Sequence, residues 1–267
     1  GTNLWIDTGR RSAIALKNLI DKNIKTKDIL TSKAFENAMI VHAACGGSTN
    51  LILHLPAVAH AVKENIMKVE DWIRINKLIP RLVDVLPNGP KGFPTSVFFS
   101  SGGVPEVMLK LRNEGLLNLD VITSTGLTLN ENLDWWEQSE KRDFVRKQLR
   151  NTRHIDPEDV VHSLKNSKKK NMTSTVTFPK GNISPEGSVV KSTAIDKTVI
   201  DDDGVYRKIG PARIFISEAD AIKAVKDKGE NGVKAGDIMV IVCGGPKGTG
   251  MQEVAQITIA LKYLSYG

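Results

Sequence analysis

Hydrophobic residues change their period once along this chain, and that change limits what the chain can fold into. Up to about residue 149 the apolar positions recur at helical spacing. Ala13, Leu16, Leu19 and Ile20 make one stripe in residues 12–21. Ser32 stands where a helix cap belongs, ahead of Phe35, Ala38 and Met39 on one face. Leu51, Leu55, Val58 and Val62 form the next stripe, which Pro56 should kink or break. Residues 104–112 read as a short amphipathic helix with Pro105 in its first turn. Residues 132–149 read as one longer, highly charged helix. From residue 173 the pattern becomes that of strands: residues 173–178, 188–194, 212–216 and 237–243. The last of these is apolar enough to be buried on both faces. One helix over residues 217–228 interrupts them, opened by Ser217 with Asp220 in a capping-box position.

Between the two patterns, residues 150–172 collect Asn151, Asp156-Pro157, Asn166, Ser167 and a lysine run, the composition of a linker. The expectation is an α/β chain in two units, a helix-rich one over residues 1–165 and a β-rich one over 172–267. A length of 267 residues suffices for one large domain or two ordinary ones. The longest apolar stretch, residues 51–62, is cut by His54, Pro56 and His60 and falls short of the roughly 18 residues that span a bilayer. Residues 1–11 lack the basic-then-apolar order of a signal peptide. Cys45 and Cys243 are far apart and outside any CxxC pair, which fits a reducing, cytoplasmic setting without disulfides or an all-cysteine metal site. The net charge of +7 raises the question of nucleic acid. Its one basic run, Lys165 with Lys168, Lys169 and Lys170, has no aromatic residues alternating with it as a stacking platform requires. Neither a nucleic-acid nor a membrane partner is expected. Opening on Gly1 and closing just after a helical pattern, the chain is expected to be a piece of something longer.

Two glycine-rich segments could carry chemistry. Cys45-Gly46-Gly47-Ser48-Thr49-Asn50 allows a tight turn and close backbone approach, and Ser48 or Thr49 can cap the helix that follows. The N–H groups at such a helix start attract an anion, although a plain turn and cap explains the pattern as well. Residues 244–253 (GGPKGTGMQE) follow a strand and open a helix, a phosphate-cradle arrangement that matches neither a Walker loop nor a dinucleotide fingerprint. Glu253, the acid of that loop, either complements the helix dipole or binds a hard cation such as Mg²⁺. Asp201-Asp202-Asp203-Gly204 lacks calcium-loop spacing and reads as a turn. Among the histidines, His54 lies about one turn past the first glycine loop and could reach into a site there, while His60 falls on another face.

These residues resemble a known family. Residues 35–39 (FENAM), 46–50 (GGSTN) with His54-Leu55, and 102–108 (GGVPEVM) look like motifs of the dihydroxy-acid and phosphogluconate dehydratases. So do Thr125-Gly126 with 131–133 (ENL), residues 181–191 (GNISPEGSVVK), 210–213 (GPAR) and 245–248 (GPKG). They occur in the family's order across nearly the whole chain. The stretches VHAACGGSTN, LVDVLPNGP, ENLDWWE, PEGSVVKSTAID and GTGMQE resemble its D-xylonate dehydratase branch.

The resemblance implies the helix-rich C-terminal part of an α/β N-terminal domain, followed by a β-barrel-like, swivelling C-terminal domain. It also implies a hydro-lyase that dehydrates a sugar acid, D-xylonate first, to the 2-keto-3-deoxy acid by metal-assisted loss of the C3 hydroxyl. Mg²⁺ and a [2Fe–2S] cluster would assist, since hydroxide leaves poorly and the C2 proton is weakly acidic. Glu253 falls on the family's glutamate ligand to Mg²⁺. The cluster cysteines lie in motifs expected upstream and the base serine beyond Gly267, so Cys45 and Cys243 are read as structural and residues 1–267 alone as inactive. Ser48, Thr49, Asn50 and His54 are expected near the substrate. A homo-oligomer, dimer or tetramer, is implied as well. Two other readings remain: a dihydroxy-acid or 6-phosphogluconate substrate, and a non-catalytic anion-binding module using the two glycine loops.

Overall fold

The computed structural model describes residues 2–245 and 255–264, which fall in two compact units, Gly1–Ile195 and Asp196–Gly267. The first unit is helical: α1 (Asn3–Asp21), α2 (Thr26–Ile29), α3 (Ser32–Cys45), α4 (Asn50–Ala61), α5 (Val69–Leu78), α6 (Thr95–Ser100), α7 (Gly103–Asn113), α8 (Leu129–Glu137), α9 (Glu140–Arg153), α10 (Pro157–Val160) and α11 (Leu164–Lys169). Its core forms around α3. Met39, Ile40, Ala43 and Ala44 pack with Trp72 and Ile75 of α5, Val107 and Leu111 of α7, and Leu82, Leu149, Val160 and Val161.

An irregular strip between α5 and α6 locks onto this core. The Leu82 N–H donates to Ala44 O at 2.7 Å, Asp84 N–H to Val160 O at 2.9 Å, and His162 N–H to Leu82 O at 2.8 Å. Asp84 is fully buried and accepts from the N–H groups of Lys91 and Gly92. Gly89 must be glycine, because a Cβ there would overlap the Asp84 carboxylate. Nearby, the first turn of α7 buries Glu106, which Arg142, Arg146 and the Trp136 indole surround.

Several local expectations need correction. Thr31, not Ser32, caps α3, accepting from Ala34 N–H at 3.3 Å, while Ser32 bonds Glu64. The long charged helix is two, α8 and α9, separated where Ser139 caps the second by accepting from Lys141 N–H. Pro56 lies inside α4 without ending it. The expected linker over 150–172 is ordered instead: it holds α10 and α11, and Val160 and Val161 are completely buried against the strip at Leu82 and Val83. Apolar pairs too short to show a period were hidden there among polar residues. Residues 173–178 and 188–194 form no strands. They meet at the antiparallel bridge between Thr177 and Val190 and where Ser192 Oγ donates to Thr175 O at 3.4 Å, and the first compact unit runs on through them to Ile195.

In the second unit, β1 (Ala212–Phe215) pairs in parallel with β2 (Ile238–Ile241), with α12 (Glu218–Lys226) between them in sequence and α13 (Ala255–Lys262) packed on α12. Phe215, Ala221, Val225, Val233 and Ile257 form its core. β2 is half-buried along its length rather than buried on both faces. Among the described residues the sheet is two-stranded, and no barrel closure is seen. Arg213 clamps the turn before β2 through Asn231 O at 2.7 Å and Gly232 O at 2.9 Å. Ser217 caps α12 by accepting from Asp220 N–H at 3.1 Å. Ser217→Ala is therefore expected to destabilise this unit by about 1 kcal/mol, read as a lower urea midpoint by circular dichroism. No helix among the described residues is long and apolar enough to cross a membrane.

Candidate functional site

The first glycine loop is a helix end forced against a second helix start. Gly46 closes α3 in the left-handed conformation, φ 64°, where glycine carries no steric penalty. A Cβ on it would also stand 2.8 Å from Thr175 Cγ2 and 2.9 Å from Arg81 Cδ. Gly47 is needed for a different reason: a Cβ there would overlap the ring of His42. His42 sits one turn back on α3, 5% exposed, with its ring edge-on to Trp72 at 5.4 Å. Its Nε2 is 2.8 Å from the Ser48 carbonyl. A carbonyl only accepts, so Nε2 carries the hydrogen and Nδ1 is bare. That Nδ1 is buried without a hydrogen-bond partner among the described residues.

Burial lowers the His42 pKa, with the Ser48 bond opposing, and burial lowers that of His162 too. Both stay neutral in the folded chain at pH values where the unfolded chain begins to take up protons. Their contribution is therefore complete above the ordinary value of 6.5 and is lost as pH falls through the lowered folded values. The melting temperature should drop between pH 7.5 and 5.5, and drop less in His42→Gln; equal drops would remove His42 from this account.

Beyond Gly47, Ser48 Oγ accepts from Asn50 N–H at 3.2 Å and opens α4. Thr49 makes no side-chain cap bond. Of the sequence-derived candidates, Ser48, Asn50 and His54 line one open cavity of about 780 Å³, together with His42 and Cys45, while Thr49 does not. Val104 and Met108 of α7 and residues 121–124 line the same cavity. Its wall is mainly aliphatic, with the polar groups of the loop and Thr123 placed in it.

The other candidates lie apart or outside view. Glu253, with residues 246–254, lies outside the described residues. Asp201 to Gly204 is a turn closed by Gly204 N–H to Asp201 O at 2.8 Å, and Arg207 pairs with Asp201 and Asp203. Burial pushes the Cys45 thiol up to about 12, so near pH 7 the free side chain is a neutral thiol. Among the described residues no three His, Cys, Asp or Glu side chains gather closely enough to hold a metal. The donor set described thus does not by itself assemble either metal group.

Sequence reasoning missed His42. The signal for His42 was its position one helical turn before the glycines.

The two halves of the chain match two sequence models of one family. Residues 4–132 match the dihydroxy-acid/6-phosphogluconate dehydratase N-terminal domain, and residues 159–267 match the C-terminal domain. The chain belongs to the dihydroxy-acid/6-phosphogluconate dehydratase family. The chain is 54% identical to D-xylonate dehydratase YagF and 56% identical to D-xylonate dehydratase YjhG, both of Escherichia coli K12. Those alignments cover all of the chain and 40% of each relative. The dihydroxy-acid dehydratase of Picrophilus torridus is 37% identical over 96% of the chain and 42% of that relative. The chain therefore spans about two fifths of the length of these relatives. The N-terminal family match ends at 132 and the C-terminal one starts at 159. The family boundary thus precedes the compact boundary at Ile195.

Proposed function

We propose that this chain is part of a hydro-lyase that dehydrates an aldonic acid, D-xylonate first, to its 2-keto-3-deoxy acid. The observation that carries the reading is the gap in identity. Over nearly the same residues the chain matches two D-xylonate dehydratases at 54–56% and a dihydroxy-acid dehydratase at 37%. The glycine loop supports it. A polyol acid needs several hydrogen-bonding groups at fixed positions, and the His42 clamp and Ser48 cap fix that backbone beside a cavity. Ser48 and Asn50 would bond substrate hydroxyls and His54 would border the cavity, with Thr49 behind them in the α4 start.

In this reading Glu253 helps hold Mg²⁺, and a [2Fe–2S] cluster is held by residues outside this chain. Together they would supply Lewis-acid activation of the departing hydroxyl. The helix-rich part belongs to an α/β N-terminal domain and the part after 172 to a barrel-like C-terminal one. The parent is a cytoplasmic homo-oligomer, dimer or tetramer.

The test is a substrate panel on the metal-loaded, full-length parent: D-xylonate, D-gluconate, 6-phosphogluconate and 2,3-dihydroxyisovalerate. One methylene more or less in a fitted pocket is worth about tenfold or more, so kcat/KM for D-xylonate should exceed the others by at least about that factor. A parent that prefers the branched dihydroxy acid or 6-phosphogluconate moves the substrate within the family. One inert on every acid removes the reading.

A further inference from the structure

A second cavity lies in the first unit and shares no lining residue with the one at the glycine loop. It holds about 670 Å³, within the usual range of roughly 300–1,000 Å³ for a small-molecule site. The end of α5, the end of α11 and the segment that follows α11 form its walls. Its floor is apolar: Ile79, Met172 and Val176 line it and are buried. Ile73, Leu78 and Phe178 continue the apolar wall.

Two of the polar side chains on that wall are matched to their surroundings. Asn76 donates to Trp72 O at 2.8 Å and accepts from Ser174 Oγ, which itself accepts from Val176 N–H at 3.3 Å. The charge is not matched. α5 and α11 each bring an exposed lysine of their last turn to the cavity, Lys77 and Lys168. A lysine there complements the dipole of its own helix, but that does not account for an apolar hollow lined by both. Neither side chain has an ion-pair or hydrogen-bond partner among the described residues, and no Asp or Glu lines the cavity.

We propose that this cavity binds an amphipathic carboxylate, its apolar body on Ile79, Met172 and Val176 and its charge met by Lys77 and Lys168. Burial of the body on the apolar floor supplies affinity, and the two cations select the charged head. A polyhydroxy acid is the poorer fit, because hydroxyls buried against an apolar floor without hydrogen bonds cost free energy. The site does not rest on the aldonic-acid reading, which concerns the glycine-loop cavity.

The experiment uses the full-length parent as wild type, as Lys77→Gln combined with Lys168→Gln, and as Ile73→Trp, each checked by a thermal melt. Calorimetric titrations are run with octanoate, with octan-1-ol (the same body without the charge) and with acetate (the charge without the body). Wild type should bind octanoate about tenfold or more tightly than octan-1-ol, the usual gain from hydrogen bonds to charged groups, and should bind acetate far more weakly than either. In the double lysine variant octanoate should fall to the level of octan-1-ol while octan-1-ol binding stays unchanged; lysines that only held the fold would move both. Ile73→Trp, which fills the cavity, should weaken both ligands. The lysine positions are exposed, so that variant covers the case in which the tryptophan variant does not fold. A wild type that binds no octanoate overturns the site, whether the parent's own chain or a second copy fills the cavity. So do equal affinities for octanoate and octan-1-ol, octanoate binding unchanged in the lysine variant, or binding that survives Ile73→Trp in a folded protein. A parent that binds octanoate in this way but dehydrates no aldonate sinks the enzyme reading and leaves the site. One that dehydrates D-xylonate and binds no octanoate sinks the site alone.

Discussion

Glu106→Ala is expected to cost about 3–5 kcal/mol of unfolding free energy, the usual loss when one partner of a buried ionic network is removed. Glu106 is 2% exposed. Arg142 grips it with two bonds, Nε to Oε2 at 2.8 Å and Nη2 to Oε1 at 3.1 Å. Arg146 Nη1 stands 3.1 Å from Oε1, and Trp136 Nε1 donates to Oε2 at 3.3 Å. The acid also faces the first turn of α7, whose free N–H groups favour a negative charge. Without it, Arg146 keeps Ser101 O and Glu158, but Arg142 and the indole of Trp136 lose their buried acceptor. Glu106→Gln keeps the shape and one acceptor and should cost less than alanine. Guanidinium unfolding followed by tryptophan fluorescence reads both; a loss below about 1 kcal/mol for alanine would mean that the network is solvated and that its geometry carries no stability.

Gly47→Ala should have the larger functional effect. Its Cβ has no space, because the His42 ring occupies it and His42 is held by Trp72 and Ser48. Either His42 leaves its bond to Ser48 O or the loop moves outward. Overpacking of this kind costs about 1–3 kcal/mol of stability. Displacing Ser48 and Asn50 by an ångström at the mouth of the cavity should lower kcat/KM of the parent about a hundredfold. The check is kinetics alongside a melt. A variant that loses stability but keeps full kcat/KM would separate the loop from the chemistry.

What could be read from the sequence followed how locally each feature is determined. Helices α3, α7 and α12 and strands β1 and β2 have clear periods and caps, and they stand where the pattern put them, within a few residues. The first glycine loop was legible because Gly46 and Gly47 have no other use between two helices. Burial of the 157–162 segment was not legible, because Val160 and Val161 are two residues in a polar stretch and their partners, Leu82 and Val83, lie far away in sequence. The strands expected at 173–178 and 188–194 failed for the opposite reason. Their β-branched residues fit a pleat, but the bridge at Thr177 and Val190 does not extend into a ladder, and Thr175 and Val176 are buried within the first unit instead. Of the residues expected near a substrate, Ser48, Asn50 and His54 line one cavity, and their contact with a substrate belongs to the proposal. His42 carried only the signal of its place one turn before the glycines, since the clamp on Ser48 exists only once the glycine turn is folded. Glu253 lies outside the described residues and remains part of the proposal.

The most direct measurement follows the product rather than the rate. The full-length parent, loaded with iron and magnesium, is incubated with D-xylonate in D₂O and the mixture followed by NMR. Loss of the C3 hydroxyl to an enol that ketonises from solvent predicts a 2-keto-3-deoxy acid carrying one solvent deuteron at C3. Unchanged D-xylonate, or a product that keeps its C3 oxygen, would contradict the account.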